Sequence, residues 1–127
     1  MPLVRIDLAK GKPAQYAKTV GEIVYEAMVE VLNAPKDDKF QVITEHPLPG
    51  LNFPPSYLGV TYSPDIIFIQ ITLNQGRTVE LKKAFYNRIA RDIHERLKTR
   101  TEDIIINLVE VTKENWSFGN GIATYAT

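Results

Sequence analysis

Pro2 stands just ahead of an alternating stretch, Leu3-Val4-Arg5-Ile6-Asp7-Leu8. Loss of an initiator Met before a small residue leaves that nitrogen as a secondary amine. An α-amine has a reference pKa of roughly 7.7–8.0, so a small shift lets it act as acid or base near neutral pH. Proline is tolerated at the first position of a strand, where its missing N–H is not needed. On composition alone, Pro2 is simply a common second residue. Arg77 follows Gly76 in a turn that opens a helix. A guanidinium beside free helix N–H groups can take a carboxylate or a phosphate; the ordinary alternative is a solvated arginine. Asp38 follows Pro35-Lys36-Asp37 and starts a strand, and alone it reads as a turn or strand-edge acid. Trp116, the single tryptophan, and Phe118 lie in Asn115-Trp116-Ser117-Phe118-Gly119-Asn120-Gly121. They can wall a pocket or pack on a neighbouring subunit, and packing is the commoner use.

Other chemistries are excluded by composition. The chain has no cysteine, hence no disulfide, thiolate metal site, Fe–S cluster or cysteine nucleophile. His46 and His94 share no metal-ligand spacing with each other or with acids. There is no GxGxxG, P-loop or GxSxG. The expectation is a site without metal or cofactor. Fifteen basic side chains balance fifteen acidic ones, which argues against nucleic acid held by bulk electrostatics. The basic run from Lys82 to Arg100 is interrupted by Glu80, Asp92 and Glu95 nearby and reads as a solvated helix face. No apolar run approaches the roughly 18–20 residues of a membrane span, and no leader pattern opens the chain. A cytoplasmic chain without membrane or nucleic-acid partners is expected.

The elements that must position Pro2, Asp38 and Arg77 come from a repeat. At an offset of 65 positions, Leu8-Ala9-Lys10-Gly11-Lys12 meets Leu73-Asn74-Gln75-Gly76-Arg77. In the same register Val4 meets Ile69, Val24 meets Ile89, Leu32 meets Leu97 and Asp38 meets Asp103. One supersecondary unit is used twice. Period-two alternation predicts a strand at Val4–Leu8, and three- and four-residue steps from Val20 to Leu32 predict a helix. Pro13 suits the first turn of that helix. Phe40–Glu45 is a second strand. The later copy has strands at Ile66–Leu73 and about Ile104–Val111 around a helix carrying Leu81, Phe85, Ile89, Ile93 and Leu97. Each copy is β-α-β with parallel strands. The expectation is an α+β domain of 127 residues, a four-stranded sheet with two helices on one face. Repeat 1 runs over about 2–46, a linker over 47–64, repeat 2 over about 65–111 and a tail outside the repeat over 112–127. The segment His46–Pro64 holds five of the eight prolines, and loops of that length are often functional.

A burial problem follows. If Ile104, Ile106 and Leu108 face the helices, then Ile105, Val109, Val111, Ile66 and Phe68 face away from them. A sheet apolar on both faces is normally covered on both. The expected cover is another subunit, so a homo-oligomer is predicted with its sheets facing inward; the alternative cover is the irregular segments.

Taken together, Met1-Pro2-Leu3, the duplicated β-α-β, Gly76-Arg77-Thr78 and Asn115-Trp116-Ser117-Phe118-Gly119 resemble the tautomerase superfamily, and within it the malonate semialdehyde decarboxylase-like branch. The resemblance implies a homotrimer of β-α-β-β-α-β subunits and a small anionic oxo-acid substrate. It implies Pro2 as acid or base, Asp38 as the accompanying acid and Arg77 as the carboxylate holder. It gives Trp116 and Phe118 as site walls, with Phe40 in a place that another type fills with tyrosine. Asn74 and Gln75 accompany one arginine where some decarboxylases carry two. Two rival readings stand beside it: a non-catalytic trimeric binding protein of this fold, and a ferredoxin-like metabolite-binding module with antiparallel neighbours in each half.

Overall fold

A computed structural model describes residues 2–126. Met1, on whose loss a free Pro2 amine depends, lies outside them. Strand β1 (Leu3–Ala9) turns Val4, Ile6 and Leu8 inward, as its alternation requires. Helix α1 (Tyr16–Glu30) buries Val20, Ile23, Val24, Ala27 and Met28 against the sheet. It begins later than Pro13 suggests. The Tyr16 N–H bonds to the Pro13 carbonyl at 3.0 Å, so a turn precedes the helix. Beyond α1, Asn33 takes a left-handed φ of 58° and sends the chain back toward the sheet. Strand β2 (Gln41–His46) starts three residues after Asp38, which therefore stands in the preceding turn.

The linker is more structured than its prolines suggest. It holds a one-turn 3₁₀ helix at Leu48–Gly50 and a short hairpin, β3 (Ser56–Tyr57) with β4 (Val60–Thr61). Leu58 and Gly59 between them both have positive φ, the twist that two-residue hairpin turns need. Strand β5 (Ile67–Asn74), helix α2 (Val79–Leu97) and strand β6 (Ile104–Val111) complete the second unit. Thr78 caps α2, its side chain accepting from the Leu81 N–H at 3.2 Å.

The main sheet runs β2-β1-β5-β6. Strands β1 and β2 are parallel, β5 and β6 are parallel, and β1 meets β5 antiparallel at the centre. The expected four-stranded sheet under two helices is present. The ferredoxin-like alternative is overturned, because the neighbours within each half are parallel. A helical crossover leaves the return strand beside the first and running the same way.

Ile6, Leu8, Ile69, Ile71, Phe85, Ile89 and Ile93 form the centre of the core between sheet and helices. Full burial of such side chains contributes about 1.5–3 kcal/mol each. On the other face the linker covers one corner, where Leu51, Phe53 and Tyr62 pack on Ala9, Ile66, Phe68 and Ile105. Asp103 pins it there, fully buried and accepting from the Ser63 N–H at 2.7 Å and its hydroxyl at 2.6 Å. The rest of that face stays open, with Leu3, Val42 and Val109 exposed.

The offset also extends past its sequence limits. The 3₁₀ turn at Leu48–Gly50 recurs 65 positions later at Lys113–Asn115. The start of the tail, expected to lie outside the repeat, is thus the second copy of the start of the linker.

Candidate active site

The topology decides which residues can meet. β1 and β2 begin at one end of the sheet, and β5 and β6 finish there. α1 ends and α2 begins at that same end. Pro2, the Asp38–Phe40 turn, Arg77 and Trp116 are therefore collected together, although they span most of the chain.

Pro2 is buried. It precedes Leu3, which pairs with Thr72, so the same register sets it level with Leu73. The Val4 N–H donates to the Phe40 carbonyl at 2.9 Å and ties the start of β1 to the approach of β2.

Asp38 is held by a tight turn, its N–H donating to the Pro35 carbonyl at 3.0 Å. Its Oδ2 is buried and has no hydrogen-bond partner, alone in this among side-chain atoms of the described residues. Buried polar atoms nearly always have partners, so an orphan calls for an explanation, a catalytic role among them. The repeat alone gives Asp38 and Asp103 the same role. The structure separates them: both Asp103 oxygens accept from Ser63 and one also pairs with Arg100 at 3.5 Å, while Asp38 is left with an open acceptor.

Arg77 is half-buried between the ends of β5 and α1. It donates from Nη1 to the Asn74 carbonyl at 3.0 Å and from Nη2 to the Leu32 carbonyl at 3.4 Å. A guanidinium has five N–H groups, so three remain.

The aromatic residues form one connected set. The Trp116 and Phe118 rings stack at 5.1 Å with 12° between planes. Phe118 lies 5.8 Å from Phe40 and meets Tyr125 edge-on at 5.7 Å. The Trp116 Nε1–H donates to Asn74 Oδ1 at 2.7 Å. Sequence reasoning missed Tyr125 and Asn74. Burial, then the charge of Asp38, push the Tyr125 phenol above its ordinary value. The signal for Tyr125 was the Gly119-Asn120-Gly121 reversal, all three at positive φ, which folds the tail back so that Thr124 accepts from the Phe118 N–H at 3.1 Å.

Hollows also lie elsewhere. One of about 500 Å³ on the open sheet face is lined by Asp7, His46, Asn52, Gln70 and Asn107. One of about 370 Å³ is lined by Lys12, Tyr16, Arg96 and Lys98. Neither contains a residue singled out for chemistry. The end holding Pro2, Asp38 and Arg77 combines an open acceptor, a cation with free donors and an apolar wall, an arrangement suited to a small anion stripped of water.

A family model described as tautomerase enzyme matches residues 38–119, and a second of the same description matches residues 2–59. The chain belongs to the tautomerase family. It is 41% identical to the probable tautomerase YusQ of Bacillus subtilis (strain 168), over 97% of either chain. Among solved tautomerase-like structures, the FG41 malonate semialdehyde decarboxylase inhibited by 3-bromopropiolate superposes with a TM-score of 0.88 at 31% identity, over 97% of this chain and 93% of that one. A wild-type fused 4-OT, solved as a symmetric trimer, shares the fold at a TM-score of 0.79 and 19% identity, over 98% and 97%. The resemblance read from the sequence is thus correct for the superfamily and for its decarboxylase-like branch. As a tautomerase-family member, the chain is an enzyme of isomerase or lyase type. No helix among the described residues is long and apolar enough to cross a membrane.

Proposed function

We propose that this enzyme acts on a small 2-oxo or 3-oxo carboxylic acid, with the Pro2 nitrogen, freed by loss of Met1, as its acid or base. The observation that carries this reading is the buried, unpartnered oxygen of Asp38 at the end of the sheet where Pro2 is buried. Arg77 holds the substrate carboxylate with the N–H groups not given to Asn74 and Leu32. Asp38 orients Pro2, substrate or a water. Phe40, Trp116 and Phe118 exclude solvent, which strengthens every charge interaction inside. As a tautomerase, neutral Pro2 removes a proton next to the carbonyl and returns it at another carbon. As a decarboxylase, cationic Pro2 polarises the 3-oxo group, and the C–C bond electrons pass into an enolate as CO₂ leaves. Similarity to one malonate semialdehyde decarboxylase at 31% identity supports the substrate class. So does a second at 25%, solved also as a proline-to-alanine mutant.

The test uses Met-free protein, verified by mass spectrometry, against a panel including phenylenolpyruvate and malonate semialdehyde. Turnover of at least one oxo acid, abolished by Pro2→Ala, is expected. Full activity in Pro2→Ala, or native protein that retains Met1, sinks the assignment of Pro2 as acid or base. A pH–rate profile separates the two chemistries. Loss of rate as an amine of pKa about 6–7 protonates marks a base; loss as an amine of higher pKa deprotonates marks an acid. The open sheet face, with Leu3, Val42 and Val109 exposed, is proposed to be covered by two further copies in a homotrimer.

A further inference from the structure

Asn74 touches both the cation and the wall of the candidate site. Its main-chain carbonyl accepts from Arg77 Nη1 at 3.0 Å, and its Oδ1 accepts from Trp116 Nε1 at 2.7 Å. An indole N–H only donates, so the amide must turn its oxygen to Trp116. Its position is fixed from the strand side as well. Asn74 is the last residue of β5 and pairs with Val111, and the next N–H, that of Gln75, donates to the Val111 carbonyl at 2.9 Å.

The fold does not require this bond. The duplication supplies the control: 65 positions earlier stands Ala9, and the equivalent of Trp116 is Leu51, one residue past the equivalent 3₁₀ turn. Ala9 and Leu51 close that end of the sheet by apolar contact in the cluster with Ile66. A half-buried polar pair contributes little more net stability than such a contact, and leaves a costly orphan when one partner is removed. The Asn–Trp pair occurs only in the copy whose end also holds Arg77 and the unpartnered Asp38.

We propose that Asn74 is a positioning residue of this site. It fixes the indole edge of Trp116, and through the 5.1 Å stack the ring of Phe118, while its carbonyl fixes Arg77. The cation and the apolar wall then keep one spacing for the substrate. This rests on the reading of the Arg77 end as the substrate site.

Trp116 is the single tryptophan, so its fluorescence reports the bond directly. Asn74→Ala installs the side chain that the other copy already tolerates, and Asn74→Asp keeps an acceptor of the same shape. Asn74→Ala is expected to keep its far-ultraviolet spectrum, shift the Trp116 emission maximum, raise acrylamide quenching by about twofold and lower kcat/KM for the oxo acid by roughly tenfold. Asn74→Asp is expected to restore the wild-type emission. In a Trp116→Phe background, which deletes the donor, Asn74→Ala must cost less than about twofold more. Folded Asn74→Ala with unchanged emission overturns the proposal, as does shifted emission with unchanged kinetics. Should Asn74→Ala not fold, Asn74→Asp with Trp116→Phe decides. Wild-type emission in the first and a roughly tenfold loss in the second support the proposal, and any other pair of results overturns it. Emission needs no turnover. An inactive wild type whose emission shifts in Asn74→Ala and returns in Asn74→Asp refutes the oxo-acid reading while supporting the Asn74–Trp116 link.

Discussion

Leaving a buried carboxylate oxygen without a donor costs a fold about 1–3 kcal/mol, and Asp38 carries such an atom. Asp103, its counterpart in the other half, carries none, because Ser63 donates to both of its oxygens and Arg100 pairs with one. The two acids should therefore respond in opposite ways to the same substitution. Asp38→Asn is expected to leave the urea midpoint unchanged or raised, while activity on the responsive oxo acid falls at least tenfold. Asp103→Asn is expected to lose about 1–3 kcal/mol in urea unfolding, because one of the Ser63 donors then faces an amide NH₂. Equal destabilisation in both would show that Asp38 is structural. Tyr125 offers a second probe at this scale. Burial and then the Asp38 charge raise its phenol pKa, so Asp38→Asn should bring that pKa down. Ultraviolet difference titration, with Tyr125→Phe to assign the signal, measures it.

Helices α1 and α2 are held by charge as well as by their apolar stripes. Arg88 Nη2 reaches Glu30 of α1 at 2.6 Å, its Nε reaches Asp92 at 2.6 Å, and Arg96 reaches Glu26 at 3.0 Å. Burial pushes the Asp92 carboxyl up, but the hydrogen bonds and charges of Arg88 and Arg91 together outweigh it and hold the group below its ordinary 3.8. A depressed folded pKa adds stability that is complete above the unfolded value and is lost as pH falls through the folded one. The fall is thus expected below about pH 4, read as the urea midpoint against pH. Arg88→Met should flatten that part of the curve and cost on the order of 1 kcal/mol at neutral pH. An unaltered acid limb would show that the pair contributes nothing. At the head of α2, Thr78→Ala should cost about 1 kcal/mol in thermal or urea unfolding, because the Leu81 N–H loses its cap.

Over the whole molecule, the sheet has one face under helices and one face only partly covered. The linker satisfies Ile66, Phe68 and Ile105, and leaves Leu3, Val42 and Val109 exposed at 37%, 42% and 38%. Charged residues placed there should prevent inward-facing assembly without touching the core. Val42→Asp with Val109→Asp is expected to convert the proposed trimer to a folded monomer by light scattering, and an unchanged mass would move the interface elsewhere. The duplication has a pseudo-symmetric logic at this scale. One end of the sheet is closed by Ala9, Leu51 and the Asp103–Ser63 latch. The other is left with Asn74, Trp116 and an open Asp38.

The sequence alone determined the repeat, the two β-α-β units, the inward sets on β1, β5 and β6, and the family. These depend on the period of apolar residues and on the order of short motifs, and both are local. It also singled out Pro2, Asp38, Arg77, Phe40, Trp116 and Phe118, and the fold gathers these at one end. It could not distinguish Asp38 from Asp103, because the difference lies in a serine 40 residues from Asp103. Nor could it show that Asn74 binds Trp116 across 42 residues, or that the tail brings Tyr125 back edge-on against Phe118. Partnership across such distances is set by strand order and by the turns that return the chain. Which carboxylate is satisfied and which stays open was decided only by the tertiary structure.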